Sequence, residues 1–326
     1  MIHRIRFCEG RGFDPYENLA AEQLLLETVD EGCCVLYLWQ NADTVVIGRN
    51  QNPWKECRTE LLESEGGRLA RRMSGGGAVF HDLGNLNFTF LLPSEEYDFT
   101  RQLDVIRRAC RSLGIPAQCS GRNDLLVGGR KFSGNAFYHF GGHSYHHGTL
   151  LVDTDMTKLG RYLRPSAAKL EAKGVDSVRS RVMNLREVQP ELTIETLRDA
   201  LCSSFGETFG LSVDAMSIDE LDGKALAALC VRNRSWEWNY GQRLPFDFSC
   251  EACFAWGEIC LELAVEYGTV HRAAVFTDAM DWDMANTLES VLCGCRFASA
   301  ALAKRVRESM NPYSEDIAQM LEQQDI

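Results

Sequence analysis

Arg71-Arg72-Met73-Ser74-Gly75-Gly76-Gly77-Ala78-Val79-Phe80-His81-Asp82 is the stretch from which the fold is read. Two guanidinium groups lead into three consecutive glycines, and a short apolar run ends at His-Asp. Without a Cβ the backbone turns sharply and approaches a ligand closely. Successive bare N–H groups in such a turn bind anions. The stretch is not a Walker A loop, because no Gly-Lys-Ser/Thr follows at the required spacing. Nor is it a dinucleotide fingerprint: Gly75-x-Gly77 is followed by Phe80 where a third glycine or alanine belongs. Taken alone it also fits a surface turn with two solvated arginines. If it binds phosphate, Arg72 supplies the charge and the Gly77–Phe80 backbone the donors.

The chain around it has 326 residues, 45% of them hydrophobic, enough for a large domain and a small one. A net charge of −12 excludes a domain-wide nucleic-acid footprint, which needs a basic field. Met1 to Phe7 reads as a short strand and has no long apolar segment of the kind a signal peptide carries. No apolar run approaches the roughly 20 residues of a membrane span. The 13 cysteines are odd in number and scattered, which fits reduced thiols in the cytoplasm.

Asp14 and Pro15 start a helix. Cys34–Trp39 and Thr44–Ile47 read as two strands joined by an Asn41–Asp43 turn, and Glu56–Ser64 as a helix. Arg68–Arg72 and Ala78–Phe80 are strands on either side of the glycines. Asn85–Leu92 alternates polar and apolar residues, the pattern of a half-buried strand. Phe99–Leu113 is a helix with a basic outer face. Leu125–Val127 is a strand, and Ala136–Phe140 with His143–Val152 form a hairpin about Gly141-Gly142. Lys158–Leu163 is a short helix, and the polar run Pro165–Arg181 predicts a mobile loop. Helices follow at Thr193–Phe205 and Asp219–Leu229, and Arg232–Gly241 closes the first domain. Strands Phe254–Val265 and Val270–Phe276, then helices Asp281–Leu292 and Ser299–Ser309, make a small α+β unit. The expected domains are 1–244 and 245–326.

Lys131, in Gly128-Gly129-Arg130-Lys131-Phe132-Ser133-Gly134-Asn135, is the second candidate. Lysine holds a phosphate or carboxylate oxygen as a point charge, and small neighbours let a ligand approach. Asn123-Asp124 offers oxygen ligands; one carboxylate plus phosphates commonly holds Mg²⁺. His143, His146 and His147 cluster beside His139, but His146 and His147 face opposite sides of a strand, so no zinc is expected there. Cys250-x-x-Cys253 and Cys293-x-Cys295 are too tightly spaced at the second pair for the usual zinc pattern. A cysteine nucleophile is the rival chemistry, although no cysteine falls inside the glycine, lysine or histidine motifs. Lys173–Arg181 packs basic and hydroxyl residues into a segment suited to closing over a charged ligand.

Seven fragments occur in order: Asp14-Pro15-Tyr16-x-Asn18-Leu19-Ala20, Gln51-Asn52-Pro53-Trp54-x-Glu56-Cys57, Arg71 to Asn85, Gly121-Arg122-Asn123-Asp124-Leu125, Gly129-Arg130-Lys131-x-Ser133-Gly134, His146-His147-Gly148-Thr149-Leu150-Leu151 and Lys173 to Val182. Together they closely resemble the lipoate–protein ligases. Glu237-Trp238-Asn239-Tyr240-Gly241 and the unit after it resemble the accessory domain of the long bacterial form. The resemblance implies an α+β, biotin/lipoate-ligase-type catalytic domain. It implies that lipoate and ATP give lipoyl-AMP, and that the lipoyl group passes to a lysine of a carrier. Such carriers are the lipoyl domains of 2-oxoacid dehydrogenases and the glycine-cleavage H protein.

By the same resemblance Lys131 is the catalytic centre and touches both substrates. Arg72, Gly77, Ala78, Val79 and Phe80 match nucleotide contacts. Ser74, Gly75, Gly76, His147 and Gly148 match the wall of the lipoate pocket. Lys173, Gly174, Ser177, Val178 and Arg179 match an adenylate-binding loop, and Asp124 is the choice for Mg²⁺. No nucleic-acid or membrane partner is expected. Alternative activities are a cysteine-dependent octanoyl or lipoyl transferase and a lipoyltransferase that needs preformed lipoyl-nucleotide. A lipoate-binding regulator would be the non-enzyme alternative.

Overall fold

Apolar runs in the first 240 residues divide between two sheets. The computed structural model describes residues 1–120, 124–164, 182–241, 246–309, 311–324 and 326. Eight strands form the large sheet, in the order Val213–Met216, Arg4–Glu9, Cys33–Trp39, Asn85–Pro93, His143–Leu151, Arg130–Phe140, Asp124–Val127 and Gln118–Ser120. The first three pair in parallel and the others antiparallel. One face packs on the helices Phe99–Ser112 and Ile194–Phe209. The opposite face packs on Pro15–Thr28 and Gly223–Arg234. Asp14 caps the first of these helices by accepting from Tyr16 N at 2.8 Å.

Two sequence expectations change here. Asn85–Pro93 is buried along its whole length, because it is a central strand covered on both sides. Its polar positions Asn87 and Thr89 face an internal pocket and the buried Glu22 instead of solvent. Cys33–Trp39 and Thr44–Ile47 do not pair with each other. Asp43, at φ +33°, turns the chain out of the large sheet. Thr44–Ile47 becomes the middle strand of a three-stranded sheet, with Arg68–Arg71 parallel on one side and Val79–His81 antiparallel on the other.

That topology sends the glycine stretch across the end of the middle strand. Gly48 lies directly beneath it: a Cβ there would stand 2.2 Å from Gly76 O. Arg71 fastens the surroundings, donating to the carbonyls of Gly48, Arg49, Gln51, Trp238 and Asn239. The Gly141-Gly142 hairpin forms as expected, with φ +58° and +83° at the two glycines. The strand after it turns His146 and His147 to opposite faces. His146 enters a cage of Phe88, Phe90, Phe99 and Phe137, with ring centroids 4.8–6.0 Å away.

The C-terminal unit has its own core. Its strands are Phe248–Phe254, Gly257–Glu266 and Thr269–Thr277, and its helices Met284–Leu292, Ser299–Glu308 and Ser314–Glu322. The first strand and last helix escaped the sequence pattern; Phe248–Phe254 is an edge strand whose alternation is blurred by Cys250 facing in and Cys253 facing out. Among the described residues no helix is long and apolar enough to cross a membrane.

Burial, and then the neighbouring His147, holds the His146 ring well below its ordinary pKa of 6.5. The folded chain therefore keeps it neutral while the unfolded chain protonates it. Its stabilising contribution is complete above about pH 6.5 and is lost below that, at about 1.4 kcal/mol per pH unit. Urea unfolding between pH 7 and 5.5 should show stability falling with pH, and His146→Leu should reduce the slope by about one proton. An unchanged slope would mean that His146 is not held neutral.

Candidate active site

A pocket of about 260 Å³ opens where the two sheets meet. Leu19, Val46, Ala78, Val79, Ala136 and Met280 give it apolar walls. Trp39, His81 and Asn87 line it from the interior, and Lys131, Gly134, Asn135, His147, Gly148 and Thr149 line it from neighbouring strands. Close approach is built in at Gly148, where a Cβ would stand 2.6 Å from Phe88 and 2.7 Å from Gly134 O. Among the described lining residues there is no cysteine. Cys8, Cys57, Cys110 and Cys250 are buried, and burial pushes each thiol up to about 12. That is the wrong direction for a thiolate nucleophile.

A buried polar chain runs behind the wall. Glu22 Oε1 accepts from Thr89 Oγ1 at 2.7 Å and faces His147 Nδ1 at 2.8 Å. His147 Nε2 meets Ser74 Oγ at 2.8 Å, and Arg72 Nε donates to the same hydroxyl at 3.1 Å. In the tautomer with its proton on Nδ1, His147 donates to Glu22 and accepts from the Ser74 hydroxyl at Nε2. The order Ser–His–Glu looks like nucleophilic machinery. Ser74, however, is fully buried and absent from the pocket lining. The chain orients His147 and ties the glycine turn to the large sheet.

The quoted glycine stretch therefore divides differently from expectation. Arg72 touches the pocket, but its guanidinium is buried and engaged with Val46 O, Gly75 O and Gly77 O as well as Ser74. Burial lowers it to about 10, so it stays charged at neutral pH. Gly76, Gly77, Ala78 and Val79 line the pocket. Phe80 does not: its backbone pairs with Val45 and its ring packs on Tyr162 in the core beneath the small sheet. Gly75 faces the C-terminal unit, where a Cβ would meet Ala279 O at 2.4 Å. Gly76 N donates to that same carbonyl at 3.0 Å.

Lys131 is half exposed at the mouth, its Nζ 2.7 Å from Asp124 Oδ1. Its side chain runs across Gly134, whose missing Cβ would stand 3.1 Å from Nζ. The backbone of Lys131 bridges Val182, and Met183 N donates to Lys131 O at 2.9 Å. Lys173, Gly174, Ser177, Val178 and Arg179 lie outside the described residues, as do Gly121, Arg122 and Asn123. Asp124 is a single carboxylate; among the described residues no three His, Cys, Asp or Glu side chains gather to hold a metal ion. That donor set suits a cation carried mainly by phosphates.

Glu22, Trp39 and His81 were not assigned from sequence. Glu22 left a signal, an acid inside the apolar run Leu19–Leu26 that is buried with its neighbours. His81 stood in the opening stretch. Asn18 donates to two backbone carbonyls and to Asn41 Oδ1, so Asn41 Nδ2 points at His81 Nδ1, 3.2 Å away. The proton of the neutral ring is therefore on Nε2, which has no partner among the described residues. Burial, then Arg72 and His147, holds His81 down to about 3.

The site's geometry has close relatives. The Lipoyl protein ligase A/B catalytic domain model matches residues 14–206, and the Bacterial lipoate protein ligase C-terminus model matches residues 244–325. Lipoate-protein ligase A of Psychrobacter cryohalolentis is 40% identical over 325 residues, 97% of this chain and 96% of that protein. The crystal structure of P. falciparum LipL1 in complex with lipoate superposes with a TM-score of 0.85 at 26% identity, covering 98% of this chain and 100% of that one. A lipoate-protein ligase A bound with ATP superposes at 0.62 and 26% identity over 74% of this chain and 99% of that one. A bi-partite lipoate protein ligase from Thermoplasma acidophilum, described with its E2 lipoyl domain, gives 0.64 and 26% over 76% and 100%. With both units matched by one kind of protein, the chain belongs to the lipoate–protein ligase family.

Proposed function

We propose that this chain activates lipoate with ATP, forming lipoyl-AMP, and transfers the lipoyl group to a lysine of a carrier domain in the cytoplasm. One observation carries the proposal: a pocket with apolar walls has the half-exposed ammonium group of Lys131 on its lining. Such a cavity suits a molecule with an apolar chain and ring at one end and a carboxylate at the other. Each buried methylene contributes about 0.8 kcal/mol. The solved relatives with lipoate and with ATP support the same pair of substrates.

In the first half-reaction a carboxylate oxygen attacks the α-phosphorus and pyrophosphate leaves. Lys131 Nζ bridges the carboxylate and the phosphate and neutralises the charge that develops between them. The Gly77–Val79 backbone approaches the nucleotide, and His147 with Gly148 forms the lipoate wall. Asp124, with the phosphates, would hold Mg²⁺, which screens phosphate charge. Lys173, Gly174, Ser177, Val178 and Arg179 would cover the adenylate and keep water from the anhydride. In the second half-reaction the acceptor amine attacks the acyl carbonyl and AMP leaves. The acceptor is a lipoyl domain of a 2-oxoacid dehydrogenase or the H protein. A T. acidophilum relative described with its E2 lipoyl domain supports the first class. A cysteine-dependent transferase is disfavoured, because the described residues lining the pocket include no thiol.

The test is ATP-dependent transfer of lipoate to a purified apo lipoyl domain, followed by mass. Transfer should require lipoate and ATP together, and failure to modify any apo carrier would refute the proposal. Lys131→Ala should lower transfer at least about 100-fold with little change in melting temperature, because the Lys131–Asp124 pair is partly exposed. Near-normal lipoyl-AMP synthesis by that variant would remove Lys131 from the centre of the reaction.

Arg72→Ala has a different expected signature. It leaves three carbonyls and the Ser74 hydroxyl without their charged donor inside the protein. Stability should fall by about 2–4 kcal/mol in urea unfolding, and the KM values for lipoate and ATP should rise together. Unchanged stability with a raised KM for ATP alone would make Arg72 a nucleotide contact.

A further inference from the structure

A second, smaller pocket of about 120 Å³ lies in the cleft between the two units, and shares no lining residue with the first. The large unit contributes Arg49, Gln51, Arg71 and Trp238; the C-terminal unit contributes Phe276 and Asn286. It sits behind the glycine turn, since Arg49 N donates to Ser74 O at 2.8 Å.

Its chemistry is unbalanced. The half-buried Arg49 guanidinium lies 4.6 Å from the Trp238 ring, and its one side-chain hydrogen bond among the described residues goes to Met73 Sδ at 3.5 Å. Arg232 stacks on the same ring at 4.4 Å. Its own acceptors are neutral, Gln23 Oε1 at 2.6 Å and Asn233 Oδ1 at 2.8 Å. Arg71 donates only to backbone carbonyls, and burial together with Arg49 lowers it to about 10. Arg49 and Arg232 thus stack on one indole, Arg71 donates to the backbone carbonyl of the same tryptophan, and among the described residues no carboxylate is hydrogen-bonded to any of the three guanidinium groups. Cation–π contact lessens but does not neutralise such charge.

Gln51 supplies an independent sign. It is 1% exposed, and its Oε1 accepts from Gly48 N at 2.9 Å. Its Nε2 has no hydrogen-bond partner among the described residues. A buried donor without an acceptor costs free energy unless something fills the place. Two acids do line the cleft. Glu237 is exposed, and Glu289 accepts from Val275 N at 2.9 Å while burial raises its carboxyl toward the neutral form.

We propose that the cleft is an anion site for one tetrahedral oxyanion of the phosphate class, held by Arg49 and Gln51 Nε2. Arginine's planar fork of donors matches phosphate oxygens. A volume of about 120 Å³ is enough for a phosphate. Because Asn286 lies on the opposite wall, the bound anion bridges the two units. Its source is free phosphate or one end of pyrophosphate.

Calorimetric titration of the intact chain with inorganic phosphate, in chloride buffer of matched ionic strength, tests this without lipoate or ATP, so its failure is separable from failure of the ligase proposal. Saturable one-site binding is expected, and Lys131→Ala should retain it. Arg49→Gln should weaken it about tenfold or more. Asn286→Asp, at an exposed position that leaves the core untouched, should weaken it several-fold by placing a carboxylate on the opposite wall. Absence of saturable binding, loss with Lys131→Ala, or unchanged affinity in Asn286→Asp would overturn the proposal. A parallel pyrophosphate titration identifies the source: tighter binding that Arg49→Gln weakens points to pyrophosphate, and equal or weaker binding to free phosphate.

Discussion

Arg72 carries its guanidinium inside the protein, and four acceptors surround it: Val46 O, Gly75 O, Gly77 O and Ser74 Oγ. A charge taken out of water must be matched by good hydrogen bonds or the fold does not keep it. Here the acceptors come from the glycine turn and from the strand that the turn crosses. The turn has no side chains with which to define itself, so the cation defines it. Once Gly75 and Gly77 point their carbonyls at Arg72, the path of the backbone is set, and Gly76, at φ +89°, takes the conformation only glycine adopts easily. The Ser74–His147–Glu22 chain extends the same constraint into the large sheet. The pocket wall and the link between the sheets thus share one buried network.

Much of this was legible in local pattern and little of it in motif. Period-two alternation foretold that His146 and His147 face opposite sides, and glycine pairs located the hairpin. Asp14-Pro15 located the first helix. Motif reading placed Arg72 on a ligand because cations beside glycine turns so often hold phosphate. What engages that cation is Val46, some 26 residues earlier in the chain, and burial by strands whose pairing no local window reveals. Ser74 is buried behind the lining, which its sequence did not show for a related reason: a turn's sequence does not say which face meets the pocket. Asn85–Pro93 alternates because its polar side meets an internal cavity, and alternation alone does not distinguish a cavity from solvent. Glu22, Trp39 and His81 converge from three separate segments, so only the fold brings them together.

The C-terminal unit is part of this arrangement. Gly76 N donates to Ala279 O, Thr277 N donates to Asn50 O, and Asn50 Nδ2 donates to Trp282 O. Trp282 packs edge-on against Tyr138 at 4.9 Å. The backbone of the glycine turn is therefore gripped from both sides, by Arg72 within its own unit and by Ala279 from the other. Met280 adds a side chain to the pocket wall. The absence of a Cβ at Gly75 is what lets the two units come this close.

Lys131 shows how an exposed group acquires precision in such a fold. Among the described residues its ammonium group has no buried partner, and the Asp124 pair is half open to solvent. A surface pair of that kind contributes little stability. The position of the lysine is set by its backbone instead. Residues on either side belong to the hairpin strand Arg130–Phe140, Gly134 leaves a channel for the side chain, and Val182 bridges the main chain from the far side. Val182 is also the first described residue after 165–181, the stretch containing the motif Lys173–Arg181. A backbone contact thus joins Lys131 to the end of that motif.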